Sequence, residues 1–449
     1  MPRPHLVILG AGFGGVYVGK KLAGQVRRGE LDITIVNRTN YFLFTPLLHE
    51  VATGALSPSS VAEPLREVFA DTSIRIIQAS VKQIDLTKRQ VHLAENETVA
   101  LDYDYLIIAT GAETNYYGCE GAAELTLPLK SLADAVAIRH RVIDVFEQAV
   151  LLDDPEARKK LLSFAVVGGG PTGVELAAEL AEFTRGITCR YYNGEHCLSD
   201  GRGSCQPEEV TITLVNAGKE ILEPFSPALR AAARAKLERE GVIVRNGVSA
   251  TKITAQGLVT ATGETISASM VMWAAGVKAT APAFLGEAPT MVAGRLAVDE
   301  SFRLQGQERV FALGDVAAYF NPEAVKEVSS PVPTPTTTAT VPTPVKLPRP
   351  LPMLAQVASG EARIVAANIA AAIAGRSPQS FRYHSKGSMV SVGQWFAIGQ
   401  IFGLRLSGRL TWWLWRTIYL FKFASRKKRL RIAFEWFLEL FFPRDITKL

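Results

Sequence analysis

Two segments of the chain share one pattern, in which a short apolar run leads into a glycine-rich turn and then into a predicted helix. The run HLVIL precedes GAGFGG from Gly10, and the run FAVV precedes GGGPTG from Gly168. A second apolar run follows each helix, at residues 33–36 and 210–215. Strand, glycine turn, helix and strand in this order form the βαβ unit that binds dinucleotides. The chain is therefore predicted to contain two dinucleotide-binding domains.

The glycines of such a turn have separate tasks. The first permits the tight turn, the second lets the backbone approach a pyrophosphate, and the third lets the helix pack closely on the strand. The N–H groups at the helix N-terminus then hold the phosphates. The candidate cofactor-binding glycines are Gly10, Gly12, Gly14 and Gly15 in the first turn and Gly168, Gly170 and Gly173 in the second.

Both second strands end in asparagine, at Asn37 and Asn216. A carboxylate at this position commonly binds the ribose hydroxyls and repels a 2′-phosphate. The amide of Asn37 still suits the adenosine ribose of a flavin dinucleotide. Asn216 removes the repulsion toward a 2′-phosphate, and Lys219 lies nearby in the sequence, so NADPH is predicted as a donor beside NADH. The alternative is that Asn216 only caps the turn before Gly218.

Further apolar runs at residues 105–109, 270–274 and 310–313 are typical of parallel strands that are buried on both faces. With 48% hydrophobic and 20% charged residues, the 449 residues have the composition of a globular protein with two or three domains. The predicted class is α/β with two Rossmann-like domains. The N-terminal run lacks the long apolar core of a secretory signal, so a reducing, cytosolic setting is expected.

Residues 401–449 differ from the rest of the chain. They hold eleven Lys and Arg against three Asp and Glu, and four of the six tryptophans. Two apolar stretches, 410–424 and 432–442, are interrupted by charges and are too short to span a bilayer. They predict two amphipathic helices in a membrane interface, with Trp412, Trp413, Trp415 and Trp436 at headgroup level. The basic run from Arg426 would meet anionic lipids, and a dimer interface is the alternative use of these helices.

Two stretches look inserted. Residues 329–352 are rich in Pro and Thr, which is typical of an extended loop. Residues 186–208 contain Cys189, Cys197 and Cys205 at eight-residue spacing, with His196 beside the second. A metal site or an oxidisable cluster is one interpretation, but the chain has no CxxC and the spacing matches no zinc pattern, so no metal is expected.

Several motifs in one order resemble the type II NADH dehydrogenases, which are single-chain flavoproteins that oxidise NADH and reduce quinone without pumping protons. The motifs are GAGFGG at residues 10–15, NYFLFTPLL at 40–48, VATG at 51–54, ATG at 109–111, the second glycine turn with Glu175, WAAGV at 273–277 and ALGD at 312–315. The resemblance covers nearly the whole chain apart from the two insertions. It implies that the first unit binds FAD and the second binds NAD(P)H.

The resemblance also assigns roles to single residues. Asp315 corresponds to the aspartate that contacts the FAD ribitol, and Gly314 gives the backbone access. Thr110, Gly111 and Gly276 stand in the matched cofactor motifs. Three candidate catalytic residues, near the nicotinamide, flavin or quinone, are Glu175, Gln356 and Lys386. Gly360 stands where the family's quinone motif has a second glutamine, which leaves the quinone preference open.

The expected organisation is an FAD domain at 1–120 and 280–395, an NAD(P)H domain at 160–275 and a membrane-anchoring region at 396–449. A hydride would pass from NAD(P)H to FAD, and a quinone would then be reduced at the cytoplasmic face of the cell membrane. Expected partners are quinone, NAD(P)H, anionic lipids and a second copy of the chain, with no nucleic acid. The alternatives are a soluble NAD(P)H oxidase or other flavin reductase, and a flavin-binding redox sensor whose basic tail contacts nucleic acid or a membrane.

Overall fold

A computed structural model of the protein describes residues 3–95, 100–193, 204–321, 349–423 and 425–448. Its helices, in chain order, are α1 Phe13–Arg27, α2 Leu48–Ala52, α3 Pro58–Val61, α4 Leu65–Val68, α5 Ala122–Leu125, α6 Leu132–Ala149, α7 Pro155–Leu161, α8 Pro171–Ile187, α9 Pro227–Arg239, α10 Ala355–Ile373, α11 Arg409–Lys422 and α12 Arg426–Leu438. The short turns of helix are Thr45–Leu47, Thr188–Tyr192, Pro207–Glu209 and Gly314–Val316.

The strands in the first part of the chain are β1 His5–Leu9, β2 Asp32–Asn37, β3 Tyr41–Leu43, β4 Ala62–Pro64, β5 Arg75–Gln78, β6 Val81–Asp85, β7 Gln90–Leu93, β8 Ala100–Asp102, β9 Tyr105–Ile108, β10 Ala112–Thr114, β11 Thr126–Pro128, β12 Ser163–Val167 and β13 Thr211–Asn216. Those that follow are β14 Val242–Asn246, β15 Ala250–Thr254, β16 Gly257–Thr260, β17 Thr265–Ser267, β18 Met270–Trp273, β19 Val277–Ala279, β20 Ala283–Leu285, β21 Met291–Val292, β22 Arg295–Ala297, β23 Val310–Ala312, β24 Ala317–Ala318, β25 Ser388–Ser391, β26 Ala397–Ile401 and β27 Leu404–Gly408.

The chain divides into two compact units. Unit 1 comprises residues 1–42, 64–113 and 278–385. Its main sheet has the strand order β23-β9-β1-β2-β5 and is parallel throughout. The central strand β1 is apolar because it is covered on both faces, and Leu6 to Leu9 are fully buried. Helix α1 follows this strand and packs against α10.

Unit 2 comprises residues 43–63, 114–277 and 386–449. Its main sheet is also parallel, in the order β11-β18-β12-β13-β14. Helix α8 begins with Pro171, whose fixed φ and missing N–H suit a first helical position. Helix α2 packs against α6 and α8, and α11 packs on the antiparallel sheet β25-β26-β27.

The two parallel sheets, each with a helix directly after its glycine turn, confirm the predicted α/β class. The predicted domain limits stay a prediction. Residues 396–449 share unit 2 with residues 160–275. Most of the Pro- and Thr-rich insertion, as far as residue 348, lies outside the described residues.

The C-terminal helices differ from the prediction in two respects. Helix α12 begins at Arg426, so the basic run belongs to the helix rather than to a linker. Trp412, Trp415 and Trp436 are buried within unit 2, and of the four tryptophans only Trp413 is exposed. The placement of all four at headgroup level was therefore wrong, because these rings fill the core of their own unit. Within the described ranges no helix is both long and apolar enough to cross a bilayer.

Candidate functional site

The first glycine turn lies in unit 1, where the N–H of Gly10 donates to the carbonyl of Val36 at 2.8 Å. Gly10 has φ +96°, and a Cβ there would lie 2.3 Å from the carbonyl oxygen of Ala109. A Cβ on Gly15 would lie 1.9 Å from the carbonyl oxygen of Gly10, so both positions require glycine. Gly12 faces open space, and no side chain caps α1 there. The turn is thus tight where strand and helix meet and open where a phosphate would sit.

The neighbours of this turn complete a cradle in unit 1. Asn37 accepts the N–H of Ala11 through Oδ1 at 2.9 Å and donates to Thr39, so its amide fixes the turn. Thr110 donates its hydroxyl to the carbonyl of Thr280, and Gly111 has φ +73° with open space beside it. A Cβ on Gly14 would approach the side chain of Leu313, which precedes Gly314.

Buried charges hold the turn before Asp315. The N–H of Gly314 donates to Glu361 Oε2 at 2.6 Å, and the Arg295 guanidinium reaches the Gly314 carbonyl at 3.4 Å. Burial raises the pKa of Glu361 to about 7, although Arg295 and the Gly314 N–H oppose the shift. Asp315 is half-buried. Sequence reasoning missed Arg295 and Glu361. Glu361 could have been noticed, because it is the one acidic residue in an alanine-rich helix.

These residues fit a bound FAD. Two glycines leave no room for a Cβ, and at Gly12 and Gly111 the structure leaves open space on the side that a pyrophosphate requires. The helix N-terminus there supplies N–H donors.

Gln356 lies in the first turn of α10 in unit 1. Its Nε2 donates to the hydroxyl of Tyr383 at 3.0 Å. A Cβ at Gly360 would lie 3.4 Å from the ring of Phe381, which is buried. This distance is an ordinary van der Waals contact, so nothing in the structure explains the glycine at this position.

The second glycine turn repeats the first within unit 2. Gly168 has φ +122°, and a Cβ there would lie 2.6 Å from the carbonyl oxygen of Ala274. A Cβ on Gly173 would lie 1.8 Å from the carbonyl oxygen of Gly168, whereas Gly170 faces open space. Gly276 has φ +152° and is covered by the hydroxyl of Tyr117. This turn therefore also fits a pyrophosphate.

The side chain of Asn216 is buried beside this turn. Its Nδ2 donates to the carbonyl of Gly218 at 3.1 Å and to Asn246 Oδ1 at 3.0 Å, and its Oδ1 accepts the N–H of Gly218 at 3.3 Å. Asn216 thus caps the turn before Gly218, which was the alternative interpretation of this residue.

Glu175 lies on α8 in unit 2 and is buried. It accepts the N–H of Ser391 at 3.3 Å, and its Oε2 lies 3.8 Å from His49 Nδ1. Burial raises the pKa of Glu175 well above its ordinary value. Burial, together with the charge of Arg444, lowers the pKa of His49 to about 3. His49 is therefore uncharged at neutral pH, so its contact with Glu175 is not an ion pair.

Further buried acids surround Glu175. Burial raises the pKa of Glu50 to about 8 against the opposing charge of Arg416, and Trp436 donates its indole N–H to the Glu50 carboxylate at 2.6 Å. Burial and the charge of Glu179 raise the pKa of Glu182 to about 7. Sequence reasoning missed these acids, although His49 and Glu50 lie directly between two of the matched motifs, at residues 40–48 and 51–54.

Two arginines balance the acids. Arg444 donates to Glu179 at 2.5 Å and to Glu439 at 3.0 Å, and Arg416 donates to Glu439 at 2.8 Å. Burial alone would lower the pKa of Arg444, but the charges of these carboxylates raise it. Elements far apart in the sequence thus form one buried ion network.

Lys386 is exposed at the start of the segment that leads into β25 in unit 2. Its charge lowers the pKa of Lys422 in addition to the larger effect of burial, so the two ammonium groups lie near each other. Gly387 has φ +104°, and a Cβ there would clash with the carbonyl of Gln400. Unit 2 therefore holds Glu175 and Lys386, whereas Gln356 belongs to unit 1.

The cysteine loop contributes little to the described structure. Cys189 is exposed and Cys205 is buried. Cys197 and His196 lie outside the described residues. In the part of the chain that is described, no group of three or more His, Cys, Asp or Glu side chains is arranged to hold a metal ion.

Comparison with known proteins gives the class first. Residues 4–362 match the pyridine nucleotide-disulphide oxidoreductases, and residues 385–445 match the NDH2 C-terminal domain. Fold and site thus define a two-dinucleotide oxidoreductase.

Individual relatives narrow this class. Type II NADH:quinone oxidoreductase Ndh of Mycobacterium tuberculosis is 32% identical over 450 residues, which cover 97% of this chain and 88% of that protein. NdhA of the same organism is 30% identical over 97% of this chain and 86% of its own length. NDH2 of Plasmodium falciparum, solved with NADH, shares the fold with a TM-score of 0.84 at 23% identity over 100% of both chains. The chain belongs to the type II NADH:quinone oxidoreductases, an FAD-dependent family, and the predicted family and enzyme class are confirmed.

Proposed function

We propose that this chain oxidises NADH and reduces a membrane quinone without pumping protons. The observation that carries the proposal is the pair of glycine turns in one chain of this family, each closed at its first and last glycine and open at its middle glycine. Bound FAD would accept the hydride of NADH and supply electrons to the quinone. In this proposal residues 1–120 and 280–395 hold FAD, residues 160–275 hold NAD(P)H, and residues 396–449 anchor the chain.

The chain's own residues bind and orient the cofactors. The turn from Gly10, the open side of Gly111 and the Gly314–Asp315 turn hold FAD. The turn from Gly168 holds the nicotinamide dinucleotide. Asn216 places an amide rather than a carboxylate at the end of β13, which favours NADPH as a second donor, whereas the Glu223 carboxylate beside Gly218 favours NADH.

Glu175 provides a proton where the quinone is reduced. Burial raises its pKa well above the ordinary value, which favours the protonated acid over the carboxylate. A buried carboxylic acid of this kind is suited to general acid catalysis. Two further residues are proposed for quinone reduction: Gln356 of unit 1 as a hydrogen-bond donor, and Lys386 of unit 2 as a cation that stabilises the reduced oxygen.

An exposed apolar face on α12 supports membrane binding. Leu430, Phe434 and Phe437 recur at helical spacing on α12 and are exposed, and Phe441, which follows the end of the helix, is exposed as well. Trp436 on the same helix is buried. Arg426, Lys427 and Arg431 are exposed beside them and would each contribute about 1 kcal/mol near an anionic surface. Such a helix lies in the interface of a bilayer. The cytoplasmic face of the cell membrane is the surface proposed, with a second copy of the chain as a further partner.

The membrane proposal is tested with a double variant, Phe434→Ser with Phe437→Ser. It should lose sedimentation with anionic vesicles but keep NADH oxidation with a short-chain quinone. Leu151→Ser is the matched control, because Leu151 is an exposed apolar residue of unit 2 outside these helices. Equal sedimentation of both variants with the native chain would place the lipid contact elsewhere.

The activity is tested by anaerobic mixing of the purified flavoprotein with NADH or NADPH, followed by a quinone. The flavin absorbance should bleach with the donor and return with the quinone. Rapid return with oxygen alone would favour the soluble oxidase, and bleaching without turnover would favour the redox sensor. Salt-sensitive binding to DNA without binding to vesicles would assign the basic tail to nucleic acid.

A further inference from the structure

Helix α8 carries a row of three acids. Glu175, Glu179 and Glu182 are spaced by four and three residues, so they share one face of the helix. Their side chains are only 10%, 6% and 16% exposed. Three carboxyl groups along one buried helix face are unusual, because acids are rarely buried without a task or a partner.

The row runs from the interior of unit 2 toward its surface. At the inner end Glu175 meets His49 and the N–H of Ser391. At the outer end Glu182 lies 3.6 Å from Lys236 Nζ. Lys236 also pairs with Glu240, and Glu240 pairs with Arg185, whose side chain is 47% exposed.

Glu179 lies between the two ends and is coupled to both. Its charge contributes to the raised pKa of Glu175 and of Glu182. Arg444 donates to its carboxylate at 2.5 Å. A proton that reaches Glu179 weakens this ion pair, so Glu179 passes a proton on rather than storing it.

We propose that Glu182 and Glu179 form a relay that returns a proton from solvent to Glu175 after Glu175 has given its own to the quinone. The inference rests on the proposed role of Glu175 in quinone reduction. In each cycle the quinone takes two electrons and two protons, and the hydride of NADH supplies both electrons and one of the protons by way of the flavin. The second proton comes from the O–H of Glu175. The resulting Glu175 carboxylate recovers a proton through Glu179 from Glu182, which takes one from solvent.

The surroundings of the row favour protonated carboxyl groups at both of its ends. Burial raises the pKa of Glu182 to about 7 and that of Glu175 well above its ordinary value. The titratable and charged groups that face the row from other elements are His49 and Glu50 on α2, Lys236 on α9, Tyr419 on α11 and Arg444 in the C-terminal segment. His49 is buried, and its Nε2 has no hydrogen-bond partner among the described residues. It therefore adds no charge that would hold Glu175 ionised.

The test is Glu182→Gln, followed by stopped-flow mixing of the NADH-reduced enzyme with a short-chain ubiquinone. In the proposed cycle Glu175 starts protonated, so the first quinol per enzyme should form at the native rate. Later turnovers should slow about tenfold or more at alkaline pH, where solvent supplies few protons. Reduction of the flavin by NADH should not change, and Glu182→Asp should restore most of the later rate.

Glu238→Gln is the matched control, because Glu238 is an exposed acid on α9 and its loss changes the net charge equally. Glu238→Gln should form the first and the later quinols at the native rate, without a fast first turnover followed by slow ones. Native-like later turnovers in Glu182→Gln at every pH would overturn the relay. A slowed first turnover or slowed flavin reduction, at unchanged flavin content, would also overturn it, because Glu182 would then have a structural role. A native chain that reduces no quinone would instead refute the proposed function.

Discussion

The buried arginine Arg444 gives the sharpest stability prediction. Its guanidinium is 11% exposed and bonds Glu179 at 2.5 Å and Glu439 at 3.0 Å. Arg444→Met keeps most of the length of the side chain but removes the charge. Breaking a buried ion pair from one side costs about 3–5 kcal/mol, because the remaining charge stays buried without compensation.

The structure places the expected loss at the low end of that range. Glu439 keeps Arg416 as a partner at 2.8 Å, so its charge stays compensated. Glu179 is only 6% exposed and loses the one cation that pairs with it among the described residues. We therefore expect Arg444→Met to lower the free energy of unfolding by about 3 kcal/mol at neutral pH.

The pH dependence of this loss has a defined sign. In the native chain burial raises the pKa of Glu182 and the charge of Arg444 lowers it, so removal of Arg444 raises this pKa further above its value in the unfolded chain. The folded variant then binds more protons than the unfolded one, and its stability rises as the pH falls. The difference from the native chain should be smaller at acidic than at neutral pH.

Urea unfolding followed by tryptophan fluorescence measures this loss, because Trp415 and Trp436 are buried in the same unit. Lys448→Met is the control, because Lys448 forms a partly exposed pair with Asp144 and should lose no more than about 1 kcal/mol. Glu179→Gln combined with Arg444→Met should recover part of the loss. Equal effects of the Arg444 and Lys448 variants, or no recovery in the double variant, would refute the reasoning.

Three further predictions concern the cofactors and the acceptor. Asp315→Ala should lower FAD retention, measured as flavin per protein after dialysis, and full occupancy would contradict the assignment. Asn216→Glu should raise the preference for NADH over NADPH in kcat/KM by about 1–3 kcal/mol, and an unchanged ratio would remove Asn216 from the ribose site. Gln356→Ala should slow quinone reduction while flavin reduction by NADH stays the same in stopped flow. Tyr383→Phe is the control, because it removes only the hydrogen bond between Tyr383 and Gln356. If Gln356→Ala slowed flavin reduction and quinone reduction equally, the quinone site would have to lie elsewhere.

The glycine turns could be predicted from the sequence because their constraint is local. At Gly10 and Gly168 the backbone adopts a positive φ, and at Gly15 and Gly173 the helix approaches the turn so closely that a Cβ has no room. Because only glycine meets these requirements, the glycine motif is recognisable in the sequence before the fold is known. The strands before the turns follow for the same reason, because a strand buried on both faces is apolar throughout.

The buried acid network could not be predicted, because its partners are distant in the sequence. Arg444 meets Glu179 across 265 residues, and Ser391 meets Glu175 across 216. Composition shows only that the tail is basic and aromatic. It does not show which face of an amphipathic helix packs on its own chain, and the tryptophans were misplaced for this reason. The start of α12 was misjudged because a basic run carries no apolar periodicity.

The C-terminal helices therefore stabilise their own unit in addition to the proposed role at a membrane. The face of α12 opposite Phe434 carries Trp436, which donates to Glu50, and the segment that follows supplies Arg444 to Glu179. A chain cut at Ser407 would lose these donors and leave the acids around Glu175 without their cations, so activity and membrane binding would fail together. Only substitutions on the exposed face, such as Phe434→Ser with Phe437→Ser, separate the two roles, since they leave the buried face and its charges in place.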